Sequence, residues 1–287
     1  MMPLFPRKPQ PGRPAGMQSE PDTGKIRAVI VPPLPGTFPN LPFSRAAPYF
    51  PLMAGPLSFS DIGVVFDLDG VLIDSHDQHE RSWFQLATEI GKPLTKAQFK
   101  ESFGMRNVMC IPHVFHWASP DDHEQIRLLG DRKEALYRQL LREDGIEPLP
   151  GVVALLTSLA TAGVPISLGS STSRKNIEVC FAATGLDRFF GPFYTGAEDV
   201  TRGKPSPDVF LKAAAKIDRL PASCLVIEDA HVGVEAGLAA GMKVLAVTTT
   251  HPRESFLDSG ACRIVDSLAE IDAASVLELL SRPEISG

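Results

Sequence analysis

The chain predicts an α/β fold: a doubly wound parallel sheet with a helical block inserted after the first strand. Three observations carry this. From Gly151 onward, short apolar runs alternate with helical stretches, the order that parallel crossovers produce. An earlier run, Gly63-Val64-Val65-Phe66, has the β-branched, unbroken apolar character of a buried strand. Between about 75 and 150 the pattern is helical only.

Taken in order, residues 1 to about 58 stand apart, with 14 of the 26 prolines and Lys/Arg outnumbering Asp/Glu by six to two. No helical or strand period runs through them, so they read as a disordered or polyproline-like extension. A transit peptide and a start assigned too early are open readings, since Met17 and Met53 offer later starts. After the first strand, Asp74-Ser75 suits a helix cap, and Trp83, Leu86, Ala87 and Ile90 recur at helical spacing until Gly91-Lys92-Pro93. Further helices are expected over 95–103, 107–117 and 121–143, the last opened by Pro120-Asp121-Asp122. The core then resumes with a helix over Val152–Ala162 and a strand over Val164–Gly169, where Pro165 suits only the beginning. A helix over 173–184, a strand near Phe193-Tyr194 and a helix over 207–218 follow. Next come a strand over 224–228, a helix over 231–240 and a strand over 243–247, with an edge strand near Arg263–Val265 and a last helix around 272–281. The domains expected are thus an extension (1–58), a core (59–74 and 151–287) and a helical block (75–150).

The 287 residues, 44% hydrophobic and 22% charged, are globular in composition. A net charge of −6 argues against nucleic-acid binding, so an anionic substrate would need a local positive site. No apolar run approaches the ~20 residues of a membrane span. Cys110, Cys180, Cys224 and Cys262 are scattered without a CxxC pair, as in reduced thiols of a cytoplasmic protein.

The chemistry-bearing residues sit where strands end. Asp67 and Asp69, at i and i+2 after the first strand, occupy the carboxyl edge at which open α/β sheets bind ligands. Two carboxylates so close repel unless a cation or a shared proton relieves them, and oxygen ligands suit Mg²⁺. A strand followed by a polar turn would look the same. An EF-hand loop fits poorly, because its spacing needs a third oxygen residue before the glycine. Ser170-Ser171-Thr172-Ser173 follows another strand and opens a helix, which makes either an anion site or an ordinary cap cluster. In Gly203-Lys204-Pro205-Ser206-Pro207 the prolines stiffen the turn that carries Lys204, which would otherwise be one more solvated lysine. Glu228-Asp229 ends a further apolar strand, a costly place for paired acids without a cation, although Asp229 could instead cap the next helix.

Together, Asp67-Leu68-Asp69-Gly70, Ser170, Gly203-Lys204-Pro205 and Glu228-Asp229 resemble the four signature motifs of the haloacid dehalogenase superfamily, over about Ile62 to Val247. The helical insertion resembles that of the β-phosphoglucomutase-like branch. The resemblance implies a Rossmann-like core with a helical cap domain, Asp67 as a nucleophile forming a phosphoaspartate, and Asp69 as general acid/base. It also implies Mg²⁺ held by Asp67, Asp69 (through its carbonyl), Asp229 and Glu228, with Ser170 and Lys204 on the transferring phosphoryl oxygens. Three cap residues resemble substrate-facing positions of the branch: His79, beside the acid/base; Arg106, on a second phosphate; and Lys133, in a related role. The alternative readings are a surface helix residue for His79 and part of a solvated charged face for Lys133. The expected function is a Mg²⁺-dependent phosphatase of small phosphorylated metabolites such as sugar phosphates. The alternatives are a hexose-phosphate mutase of the β-phosphoglucomutase type and a non-catalytic binding or regulatory protein. The expected partner is a small phosphorylated metabolite, not a nucleic acid or a membrane, and the protein is expected to be a monomer whose cap closes its own site.

Overall fold

The protein is described by a computed structural model for residues 56–102 and 105–282, so the expectations for 1–55 lie outside the described residues. Six parallel strands form one sheet in the order β3-β2-β1-β4-β5-β6. They span β1 Gly63–Phe66, β2 Ile166–Gly169, β3 Tyr194–Thr195, β4 Cys224–Glu228, β5 Lys243–Val247 and β6 Arg263–Val265. Because side chains alternate across a strand, Val64 and Phe66 pack into an apolar cluster on one face of the sheet and Val65 into a second on the other. Both faces are covered, which is why the strands read as unbroken apolar runs. Pro165 lies just before β2, where its carbonyl accepts from the Val64 N–H at 3.1 Å and its missing N–H breaks no ladder. The order reverses beside β1, so the crevice between β1 and β4 is the expected ligand position of such a sheet.

The core helices are α5 Val152–Ala162, α6 Arg174–Thr184, the short α7 Asp187–Phe190, α8 Asp208–Lys216, α9 His231–Ala239 and α10 Ala273–Ser281. Between β1 and β2 run α1 His76–Glu89, α2 Lys96–Ser102, α3 Asn107–Met109 and α4 His123–Asp144. This block has its own apolar cluster, with Trp83, Phe99, Ile111, Trp117 and Leu136 at its centre. Asp122 caps α4 by accepting from the Gln125 N–H at 3.0 Å. The helix expected over 107–117 is broken: after α3, residues Cys110–Val114 widen into a π-turn, and Phe115 N–H bonds back to Cys110 O at 2.9 Å. Pro112 lies within that stretch and has no N–H to continue an α ladder. Among the described residues, no helix is long and apolar enough to cross a membrane. All four cysteines are free.

Candidate active site

Asp67 ends β1, and Glu228 and Asp229 end β4, the next strand in the sheet. Their carboxylate oxygens lie within 4.8 Å of one another and all three residues are buried. Lys204 reaches in from the turn before α8 and donates to Asp67 Oδ1 at 2.5 Å and Glu228 Oε1 at 2.6 Å. Glu228 Oε2 accepts from the N–H groups of Asp229 (2.7 Å) and Ala230 (2.8 Å), which holds the β4–α9 turn around it. Asp229 is therefore not the helix cap that its position allowed; its side chain faces the other acids. Glycines make the crowding feasible. A Cβ on Gly233 would overlap the Glu228 carboxylate, and one on Gly70, whose φ is +79°, would overlap that of Asp229.

Three carboxylates face one ammonium in a buried place. Burial pushes the Asp67 carboxyl up to about 7; Lys204 opposes that rise, while Glu228 and Asp69 add to it. Burial, with Glu228 and Asp67 beside it, likewise raises Asp229 well above the usual carboxylate range. Burial disfavours the Lys204 ammonium, but Asp67 and Glu228 outweigh it and raise its pKa. The surplus negative charge and the all-oxygen donor set fit a hard divalent cation such as Mg²⁺. Asp67, Glu228 and Asp229 would hold it.

Asp69 stands outside that trio. Its Oδ1 accepts from the Ser75 hydroxyl and lies 3.6 Å from His79 Nε2. Ser75 heads α1, yet its hydroxyl makes no cap bond because it is given to Asp69. His79 Nδ1 lies 2.8 Å from Lys133 Nζ, which can only donate, so Nδ1 accepts and the ring proton sits on Nε2, toward Asp69. Burial and Lys133 lower the His79 pKa and keep the ring neutral. Burial alone would raise Asp69; His79 and Ser75 outweigh it and hold the carboxyl below its ordinary value. Lys133 is only 2% exposed, not part of a solvated face. It also donates to Glu134 Oε1 at 3.1 Å and lies over the rings of Trp83 and Tyr137.

These groups surround one cavity of about 100 Å³, bordered by Asp67, Asp69, His79, Lys133, Ser170, Lys204, Glu228 and Asp229. The Ser170 hydroxyl faces it and accepts from the Thr172 N–H at 3.2 Å, while Ser173 is the cap of α6. Arg106 is not among them. Its guanidinium donates to the core carbonyls of Thr201 (3.2 Å) and Ala197 (3.1 Å) and borders a neighbouring cleft.

Sequence reasoning passed over four contributors, three of them after β5. Thr249 donates to the carbonyl of Gly70, Thr250 to Asp229 Oδ2, and the His251 ring to the Asp229 carbonyl at 3.1 Å. A polar run directly after β5, in the same place as the motifs after β1, β2 and β4, was the available signal. Glu134 accepts from Asn107 at 2.7 Å and, across to the core, from Asn176 at 2.5 Å. No local pattern marks it.

Residues 63–241 match the family described as haloacid dehalogenase-like hydrolase. The chain is 32% identical over 221 residues to the chloroplastic 5-amino-6-(5-phospho-D-ribitylamino)uracil phosphatase of Arabidopsis thaliana, covering 76% of this chain and 57% of that protein. It therefore spans less than two thirds of that relative's length. It is 34% identical over 186 residues to hexitol phosphatase A of Escherichia coli K12, covering 64% of this chain and 82% of the relative. Among solved structures, the β-phosphoglucomutase of Clostridium difficile superposes with a TM-score of 0.66 at 25% identity, covering 76% of this chain and 96% of that one.

Proposed function

The chain belongs to the haloacid dehalogenase-like hydrolases, in their β-phosphoglucomutase-like branch, and on that premise we propose that it is a Mg²⁺-dependent phosphatase of small phosphorylated metabolites. The observation that carries the reading is the convergence of Asp67, Lys204, Glu228 and Asp229 on the cavity that Ser170 and Asp69 also border. The names of the plant and bacterial phosphatases support a phosphomonoester substrate.

In this reading the Asp67 carboxylate attacks phosphorus, the P–O bond to the alcohol breaks, and a phosphoaspartate forms. Asp69, presented by Ser75 and oriented by His79, is ionised in the free site; it takes up a proton beside the phosphate dianion and gives it to the departing oxygen. It then takes one from the water that cleaves the phosphoaspartate and regenerates Asp67. Ser170 and Lys204 hold phosphoryl oxygens, and Lys204 counters charge that develops in each transition state. A bound Mg²⁺ would supply further charge neutralisation between the attacking carboxylate and the phosphate dianion. The helical block 75–150 serves as a cap that excludes bulk water from the cavity over Asp67.

A mutase is the second reading, favoured by His79 and the buried Lys133, which both border the cavity. Against it stands Arg106, whose guanidinium is engaged by core carbonyls. A non-catalytic protein would have no need to keep three buried acids around one lysine. The deciding experiment supplies Mg²⁺ and a panel of phosphomonoesters, reads phosphate release, and in parallel follows β-glucose 1-phosphate with a bisphosphate primer. Phosphate release from esters supports the phosphatase; isomerisation to glucose 6-phosphate without release replaces it with the mutase.

A further inference from the structure

The cavity over Asp67 is small. Its volume is about 100 Å³. Beside it lies a cleft of about 470 Å³. Asn107, Glu134, Ser171 and Thr172 border both spaces, so the partition is one side chain thick. On the cap side Asn107 Nδ2 donates to Glu134 Oε1 at 2.7 Å, and Asn176 Nδ2 joins Glu134 Oε2 (2.5 Å) to Thr172 Oγ1 (2.9 Å).

Resting on the phosphatase reading, we propose that the alcohol portion of the substrate passes between Asn107–Glu134 and Ser171-Thr172 and lies in the larger cleft. The substrate class is then an extended phosphomonoester: a phosphate, a hydroxylated linker of several atoms and a polar ring, not a compact hexose phosphate. The chemistry of the partition selects the linker. An amide, a carboxylate and two hydroxyls all exchange hydrogen bonds, and a linker hydroxyl can donate to Glu134 while accepting from Asn107, replacing the bond it displaces. Beyond them the cleft pairs apolar Pro112 and Ile126 with His113, His123 and Arg127, a surface for a flat ring with polar edges.

Gly130 is an independent pointer. It lies inside the 22-residue helix α4 and borders the cleft. A glycine there costs about 1 kcal/mol relative to alanine. Packing does not demand it, since an added Cβ would meet Asn107 at 3.5 Å and Ile111 at 3.9 Å, ordinary contact. A longer side chain would project into the cleft beside Asn107, and the glycine keeps that volume open.

The test measures phosphate release by the Mg²⁺-loaded full chain from glycerol 3-phosphate, glucose 6-phosphate and flavin mononucleotide, the last a ring on a polyol phosphate. We expect kcat/KM for flavin mononucleotide to exceed that for glucose 6-phosphate by about tenfold or more. Gly130→Leu is expected to lower the flavin mononucleotide to glycerol 3-phosphate ratio by about tenfold. Gly130→Ala should lower it by about threefold with a melting temperature at or above the parent's, which keeps the test decisive if the leucine variant fails to fold. A preference for glucose 6-phosphate, or a ratio that neither folded variant moves, overturns the inference while release from the short ester leaves the phosphatase reading standing. No release from any of the three overturns both.

Discussion

Thr250 donates its hydroxyl proton to Oδ2 of Asp229 from the loop after the neighbouring strand β5. That carboxylate lies with those of Asp67 and Glu228, so a residue absent from the four motifs holds one of the three clustered acids.

Thr250→Val should therefore weaken Mg²⁺ binding, by about tenfold to a hundredfold, as loss of a partner behind a metal ligand does. Calorimetric titration of Mg²⁺ into the protein reads this directly, and Thr250→Ser should restore it. Unchanged affinity in the valine variant would remove Thr250 from the site.

Asp67→Asn should lower turnover by at least about four orders of magnitude, because an amide cannot attack phosphorus. It also deletes one of three crowded buried carboxylates, so the melting temperature of the metal-free variant should equal or exceed that of the parent. Near-parental turnover would exclude Asp67 as the nucleophile.

Glu134 sets a pH dependence of stability. Burial would raise its carboxyl, but Lys133, His79, Asn107 and Asn176 outweigh this and hold it at about 2 against an ordinary 4.5. A depressed acid stabilises the fold above its unfolded pKa and loses that contribution as pH falls. Between about 4.5 and 2 the fold should thus lose up to about 3 kcal/mol from this group. Denaturant unfolding across that range should show the loss in the parent, and a smaller one in Glu134→Gln.

Arg106→Ala removes two bonds between the helical block and core carbonyls. If the guanidinium clasps the cap, KM for monophosphates should rise by about threefold to tenfold with little change in kcat. A loss confined to bisphosphate substrates would instead assign Arg106 to a second phosphate.

Much of the core was legible because it rests on local rules. Strand β4 follows from an unbroken apolar run, α5 from its helical spacing, and the acids after β1 and β4 from polar residues that end such runs. Lys133 was not legible in this way. It lies in Asp131-Arg132-Lys133-Glu134, four charged residues in a row, and such a run offers no apolar contrast to say which residue turns inward. Packing of α4 against α1 decides it, placing Lys133 between Trp83, Tyr137 and His79. Pro112 offered a signal that the reading of 107–117 as one helix overlooked.

By itself, then, the sequence determined the alternating architecture and the kinds of group standing at each strand end, because periodicity and strand termination are properties of neighbouring residues. Only the folded chain decided which of those groups meet. Lys204 bonds Asp67 across 137 positions, and Glu134 bonds Asn176 across 42. The sheet order and the seating of the helical block set those encounters, and no window of sequence contains both partners.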